Sequence, residues 1–252
     1  MAKKLRIDKI LSNVGYGSRA EIKVYCKKGL VKVNNKVISN PGTQVDTDTD
    51  KIEFNNEVVK YREFVYIMMN KPYGYLSATF DKRDPIVLDL IESSYLAFEP
   101  FPVGRLDKDT EGLLVLTNDG KLAHRVLSPK KHVPKTYYAK IDGVVTEKDV
   151  KAFEEGVTLD DGYETMPSQL NILESGEISE IELTIHEGKF HQVKRMFESV
   201  GKKVVYLKRL SMGKLKLDEM EHPPHAPKLD ETLSLGEYRE LTEEEVKLIE
   251  ER

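Results

Sequence analysis

The feature that most constrains the fold is a break in the apolar pattern between residues 59 and 63. Short apolar runs stop at Val59, the next residues are charged apart from Tyr61, and a strand-like run begins at Phe64. A chain of 252 residues is long enough for one domain of ordinary size and one smaller domain. We therefore expect two domains, residues 1–60 and 61–252, joined by a linker at about residues 59–63.

The two ends of the chain differ in charge. Residues 1–62 contain 13 Lys and Arg against 7 Asp and Glu, whereas residues 218–252 contain 4 against 12. The formal net charge of −4 hides this gradient. A basic module attached to a near-neutral body is typical of a protein in which one part holds a polyanion. The alternative is that the lysines only keep the surface soluble.

The first 60 residues carry signals for two helices followed by short strands. Apolar residues from Ile7 to Val14 recur at helical spacing. Ser18 and Glu21 have the spacing of a capping box, and Gly29 ends the second helix. Asn34 and Asn35 suit a tight hairpin turn because asparagine tolerates positive φ. The helical half also holds a group of basic residues: Arg6, Lys9, Arg19, Lys23, Lys27 and Lys28.

This module resembles an S4 RNA-binding domain. The similarity is carried by Ser18 and Arg19 and by the run VKVNNKVI at residues 31–38. It implies that the six basic residues track RNA phosphates, which gives affinity without choosing a base. The choice of nucleotide must then come from the rest of the chain.

Residues 101–120, FPVGRLDKDTEGLLVLTNDG, contain the strongest signal for chemistry. Asp107 follows two loop residues, Pro102 and Gly104, and precedes the strand-like run from Gly112 to Thr117. A loop between two buried strands can present one carboxylate to a cleft. Because other acidic residues crowd the same segment, a solvated acidic turn is the alternative.

Several motifs resemble those of the RsuA-type ribosomal RNA pseudouridine synthases. Residues 104–107, 109–114 and 117–120 match the catalytic motif of that family, KTY at 135–137 its second motif, and EGKFHQVKRM at 187–196 its third. The motifs occur in the family's order. The resemblance implies an α+β fold: a small S4-like α/β module, followed by a larger domain with a mixed, mainly antiparallel sheet flanked by helices.

The resemblance also implies roles for four residues. Asp107 would be the nucleophile, attacking either the uracil ring or ribose C1', and Lys194 would pair with it and keep it ionised. Tyr137 would stack on the flipped base and could relay the C5 proton. Arg105 would hold a phosphate of the target nucleotide or support its extruded state. An ordinary helix-surface lysine is the alternative for Lys194.

We therefore expect an enzyme that isomerises a uridine of ribosomal RNA to pseudouridine. HQVKRM at 191–196 and GEYRELTEEE at 236–245 favour a small-subunit target. A large-subunit synthase of the same family and a non-catalytic RNA-binding factor of ribosome assembly remain alternatives. A metal-dependent nuclease built on Asp107, Asp109 and Glu111 is a third, which activity insensitive to chelators would exclude.

The remaining signals concern cofactors, metals and location. The reaction transfers no electrons and no external group, so we expect no cofactor. The single cysteine, Cys26, cannot form an internal disulfide, and His186-Glu187 lacks the second histidine of a zinc helix because Phe190 stands there. His222 and His225 fit a loop better than a metal site. We expect a cytoplasmic monomer, with no membrane segment, that binds ribosomal RNA either free or within a pre-ribosomal particle.

Overall fold

The computed structural model describes residues 4–47, 49–59, 61–217 and 233–251. The chain forms two units: residues 1–65 with 91–100, and residues 66–90 with 101–252. The contribution of residues 91–100 to the first unit has no signal in the sequence pattern. His222 and His225 lie outside the described residues. Within the described ranges, no helix combines the length and apolar character needed to cross a bilayer.

The N-terminal unit begins with two helices. Ile7–Asn13 is followed by Arg19–Lys27, whose first turn is closed by the reciprocal hydrogen bonds of Ser18 and Glu21. One face of each helix is apolar and buries Ile10 and Ile22 completely. Cys26 is a buried free cysteine in this core. The expected helices and capping box are confirmed.

Short strands complete this unit. Four of them form one sheet in the order Lys36–Val37, Val31–Val33, Ile52–Phe54 and Glu57–Val58, and Lys4–Arg6 pairs with Gln44–Asp46 in a second. The turn at Asn34 and Asn35 has φ angles of 49° and 64°, as expected for a hairpin that needs left-handed residues. Ser93–Leu96 is a further one-turn helix.

A nine-stranded sheet organises the second unit. Its main path runs through the strands Gln169–Glu174, Ile178–Ile185, Lys135–Asp142, Lys203–Met212, Glu111–Thr117, Tyr66–Lys71 and Tyr238–Glu240. Phe101–Pro102 and Leu215–Lys216 pair with it at the side. The pairing of Glu111–Thr117 with Lys203–Met212 is parallel, and the other pairings of these strands are antiparallel.

Helices cover the sheet. They span Gly120–Leu127, Glu147–Glu155, Gln192–Ser199 and Glu243–Leu248, with 3-10 turns at Val87–Leu90 and Pro129–Lys131. The centre of the sheet is covered on both faces, since Leu113 and Leu114, which point in opposite directions, are both fully buried. This architecture confirms the expected α+β class with a mixed, mainly antiparallel sheet.

Candidate active site

The loop that carries Asp107 is held from behind by two buried residues. The hydroxyl of Ser77 donates to the carbonyl of Leu106 at 2.9 Å and accepts from its N–H at 3.0 Å. The Lys71 ammonium donates to the carbonyls of Thr110 at 2.8 Å and Lys108 at 3.4 Å. These bonds fix the main chain on both sides of Asp107, so the carboxylate projects from a loop that cannot easily shift.

Lys71 is fully buried although its side chain is ionisable. Burial lowers its pKa to about 8, against the attraction of Asp109, Glu111 and Asp107, which favours the charged form. Carbonyl oxygens satisfy its donors, as buried ammonium groups require. Its contacts make Lys71 a positioning residue of the loop.

Asp107 forms an ion pair with Lys194. Nζ of Lys194 lies 3.1 Å from Oδ2 of Asp107 and 2.6 Å from Oδ1 of Asp109. The Asp107 side chain is 26 % exposed, whereas that of Asp109 is 54 % exposed. Asp107 is therefore the more buried of the two carboxylates that share the ammonium, and Asp109 is the more exposed.

The shared ammonium holds its proton firmly. Burial opposes the charged form of Lys194, but the hydrogen bonds to Asp109 and Asp107 outweigh it and raise the pKa of the lysine. Burial likewise opposes ionisation of Asp109, and its bond to Lys194 prevails and lowers its pKa. Lys194 and Asp109 are therefore both ionised at neutral pH.

A short helix places Lys194 opposite the carboxylate loop. The helix Gln192–Ser199 buries Val193 and Met196 against the sheet, which turns Lys194 in its first turn toward Asp107. His191 precedes the helix in the left-handed conformation, at φ 49°. Its Nε2 lies 3.6 Å from Oδ1 of Asp107.

The segment before this helix is fixed by Glu187. This residue is 8 % exposed, and its carboxylate accepts from the Tyr163 hydroxyl at 2.6 Å, the Met166 N–H at 2.9 Å and the Gln192 amide at 2.7 Å. Gln192 in turn accepts from the Lys189 N–H at 2.8 Å. The third motif is thus anchored at its buried end, which positions the helix that carries Lys194.

Asp107 borders a cleft of about 130 Å³. Tyr137 and Arg105 also line this cleft, and so does His191. Tyr137 is 8 % exposed, on the face of its strand opposite to Tyr138. The structure thus brings together the four residues singled out for chemistry: three line the cleft, and Lys194 is bonded to Asp107.

The floor of the cleft contains two cations for which the sequence predicted no role: Lys135, which belongs to the KTY motif, and Arg209. Lys135 and Arg209 line it and are 8 % and 2 % exposed. A sequence signal existed, because Lys135 lies two residues before Tyr137 and so belongs to the same face of its strand. Lys71 and Ser77 were missed as well, since their role depends on main-chain contacts that no side-chain pattern reveals.

The six basic residues of the N-terminal unit are all exposed. Arg6 forms an ion pair at 2.6 Å with Asp8, which occupies part of its charge. Arg19, Lys23 and Lys27 are spaced four residues apart on the helix Arg19–Lys27 and therefore lie along one face.

The geometry does not favour the nuclease alternative. Lys194 already lies between Asp107 and Asp109, where a divalent ion would have to bind. Glu111 accepts instead from the Tyr206 hydroxyl at 2.7 Å. In the described part of the chain, no group of three or more His, Cys, Asp or Glu residues is arranged to hold a metal ion.

Comparison with known proteins agrees with this arrangement. Residues 65–199 match the family described as RNA pseudouridylate synthase, and residues 5–52 match the S4 domain. The chain belongs to the RNA pseudouridylate synthase family and carries an N-terminal S4 domain. The resemblance to RsuA-type synthases drawn from the three motifs is confirmed.

Similar proteins match along almost their whole length. An uncharacterized RNA pseudouridine synthase of Bacillus subtilis, YtzG, is 52 % identical over 98 % of this chain and 99 % of that protein. The ribosomal large subunit pseudouridine synthase B of Bacillus subtilis is 38 % identical over 96 % and 94 %. The ribosomal small subunit pseudouridine synthase A of Haemophilus influenzae is 36 % identical over 96 % and 98 %. A crystal structure of a pseudouridylate synthase has a TM-score of 0.64 and 35 % identity, covering 97 % and 99 %.

Proposed function

We propose that this chain isomerises a uridine of ribosomal RNA to pseudouridine, with Asp107 as the attacking carboxylate. The observation that carries the proposal is the juxtaposition of Asp107, paired with Lys194 at 3.1 Å, and the ring of Tyr137 in one cleft. A protein that only binds RNA needs no partly desolvated ion pair beside an aromatic ring. Ribosomal RNA is the substrate class because relatives at 36–38 % identity are named for both ribosomal subunits.

The chemistry requires a base removed from its stack. The C1'–N1 bond breaks, the uracil turns, and C5 bonds to C1', after which C5 loses its proton and N1 takes one up. Tyr137, at the side of the cleft, provides a surface for the extruded ring, and stacking of one base contributes roughly 1–3 kcal/mol. Asp107 attacks either C1' or the uracil ring, and both routes need its ionised form.

Lys194 supports that ionised form. Its ammonium offsets the desolvation of the carboxylate in a site that closes over a base. Asp109 shares the same ammonium and keeps the lysine in place when Asp107 moves toward the nucleotide. Arg105 is exposed beside the cleft and is available to hold the phosphate next to the target.

We propose the small ribosomal subunit as the location of the target, in line with the HQVKRM and GEYRELTEEE segments. Sequence identity does not separate the two subunits, since the large-subunit relative of Bacillus subtilis is 38 % identical and the small-subunit relative of Haemophilus influenzae is 36 % identical. The division at residues 1–60 and 61–252 gives the N-terminal module the task of holding RNA. A cytoplasmic monomer that acts on free RNA or a pre-ribosomal particle completes the proposal.

The test is a map of pseudouridines in ribosomal RNA from cells that carry the wild type, a gene deletion or Asp107→Asn. We expect one small-subunit site to be absent from both the deletion and the variant. A lost site in the large-subunit RNA would contradict the target while leaving the reaction intact. If no site is lost in the deletion strain, the proposed function is wrong.

A further inference from the structure

Two cations below the cleft are buried without a carboxylate partner. Lys135 and Arg209 form no ion pair with any residue in the described ranges. Nζ of Lys135 donates to the carbonyl of Val133 at 2.9 Å, and Nε of Arg209 donates to that of Leu113 at 2.8 Å. Nη2 of Arg209 is buried and has no hydrogen-bond partner among the described residues. The two N–H groups of that nitrogen are therefore unused.

Both cations lie on the face of the sheet that borders the cleft. Arg209 is directly opposite Tyr137 in the pairing of their strands, so the two side chains start from neighbouring points on one face. Lys135 lies two residues before Tyr137 on the same face. Ile185 and Leu207 also line the cleft. A base stacked on Tyr137 would therefore lie beside the two cations.

The position of Arg209 is enforced by a glycine. Gly112 pairs with Arg209 and has a φ of +98°. A Cβ atom at residue 112 would lie 2.3 Å from the Arg209 carbonyl oxygen, which is far inside van der Waals contact. Only glycine allows the strand Glu111–Thr117 to approach the Arg209 main chain this closely, and the hydrogen bond from Nε to the Leu113 carbonyl then holds the guanidinium against that strand.

Buried charges are normally paired because desolvation makes an isolated ion costly. Burial and the neighbouring charge of Arg209 lower the pKa of Lys135 to about 8, while Glu187 acts in the opposite direction. The carboxylate of Glu187 is already bonded to Tyr163, Met166 and Gln192. Among the described residues no carboxylate is bonded to the floor, so the two cations remain available to a negatively charged ligand.

The proposed reaction generates such a charge on the base. When the C1'–N1 bond breaks, its electron pair stays with the uracil and spreads onto the ring carbonyl oxygens. The electron deficiency left at C1' is met by a bond to Asp107 or by the ribose itself. If Asp107 attacks the ring instead, the charge again goes to a carbonyl oxygen as an enolate. Rejoining through C5 returns the pair to a carbon–carbon bond, C5 loses one proton and N1 takes one up, so the isomerisation balances without a co-reactant.

We infer that Lys135 and Arg209 form an oxyanion-binding floor that donates hydrogen bonds to a ring carbonyl oxygen of the uracil while the base is negatively charged. This inference rests on the proposed function and assigns two further catalytic residues to the same cleft. Fixed donors of this kind act most strongly where water is excluded. The floor would accelerate either route of attack, because both place charge on the C4 carbonyl oxygen.

The test compares Arg209→Met and Lys135→Met with the wild type on two RNAs. One is a ribosomal RNA fragment that the wild type converts, and the other carries 5-fluorouridine at the same position. Fluorine withdraws electrons and stabilises negative charge in the ring, so it substitutes in part for the missing cation. Single-turnover loss of the starting nucleoside is measured in digests, together with RNA affinity and melting temperature. Lys140→Met, on the opposite face of the same strand, is the matched control.

We expect each variant to convert the uridine RNA roughly 100-fold more slowly, the usual cost of one oxyanion donor. RNA affinity should change by less than about threefold, because the charge is absent from the bound ground state. The deficit should shrink by about tenfold on the 5-fluorouridine RNA. Lys140→Met should behave as the wild type on both.

Two results would overturn the inference. Weaker binding with an unchanged rate at saturation would make the floor a phosphate site. An equal loss of rate on the uridine RNA and the 5-fluorouridine RNA would show that Lys135 and Arg209 have a structural role. If Arg209→Met does not fold, Lys135→Met decides by the same comparison. A wild type that converts no ribosomal RNA would refute the proposed function, whereas an active wild type with active variants refutes only the floor.

Discussion

The rim and the floor of the cleft differ in the partners of their charged side chains. At the rim, Asp107 and Asp109 share the ammonium of Lys194 at 3.1 Å and 2.6 Å. At the floor, Lys135 and Arg209 are more deeply buried and have main-chain carbonyls as their bonded partners. At the rim each charged group has an oppositely charged partner before the substrate arrives, whereas the floor carries an excess of positive charge.

This difference indicates that the rim and the floor have separate roles. A carboxylate that must stay ionised while a base covers it needs a resident cation, and Lys194 provides one. Some sites must stabilise a charge that develops only during the reaction. Such a site is more effective when its hydrogen-bond donors are not already bonded to a carboxylate of the protein. Replacing the cations one at a time tests this contrast, from the largest expected effect to the smallest.

Among the cations, we expect the loss of Lys194 to have the largest effect. Lys194→Met leaves Asp107 partly buried without its partner, and we expect the single-turnover rate to fall by roughly 100-fold or more. Lys194→Arg keeps the charge with a different hydrogen-bond geometry and should retain activity within about tenfold of the wild type. If Met and Arg at this position give equal rates, the charge of Lys194 plays no part in the reaction.

Loss of a floor cation should change stability in a pH-dependent way. The pKa of Lys135 is lowered to about 8, so between about pH 8 and 10.5 the unfolded chain binds more protons than the folded one at this residue. Below pH 8 both states are protonated, and the full cost of burying the charge is present. The stability of the wild type relative to Lys135→Met should therefore rise as the pH increases from 7 to 10.

Melting temperatures of the two proteins across this range provide the measurement. Lys71 has a similar pKa, but it is present in both proteins and cancels in the difference. A difference that stays constant with pH, or that moves in favour of the variant, would show that Lys135 is not a buried charge.

The smallest effect should come from the N-terminal unit. Replacing Lys23 or Lys27 with Gln removes one phosphate contact, and we expect RNA affinity to fall severalfold at low salt, with the salt slope reduced by about 1. Lys148→Gln, on an exposed helix position of the second unit, is the matched control and should leave both values unchanged. Equal effects of Lys148→Gln and Lys23→Gln would place RNA binding outside the S4 domain.

Local signals in the sequence predicted most of the fold. The capping box of Ser18 and Glu21 and the Asn34-Asn35 turn depend on neighbours in the chain, and both are found as expected. The addition of residues 91–100 to the first unit was not predictable, because it depends on long-range packing that leaves no periodic pattern. The α+β class itself was predicted from the resemblance of the three motifs to those of a known family.

For the site, the sequence indicated Asp107, Tyr137 and Lys194 but not the residues behind them. The role of Lys71 comes from carbonyl oxygens of a loop nearly forty residues away, and main-chain acceptors are identical at every position in a sequence. The significance of Arg209 comes from a missing partner, which appears only when its surroundings are known.

The most direct test of the account is the single-turnover conversion of uridine to pseudouridine by Asp107→Asn and Asp109→Asn. Both variants remove one carboxylate from the same ammonium, but only Asp107 borders the cleft. We expect Asp107→Asn to lose at least about a thousandfold in rate and Asp109→Asn less than about tenfold. Pseudouridine formed by Asp107→Asn at a rate close to that of the wild type would contradict the account.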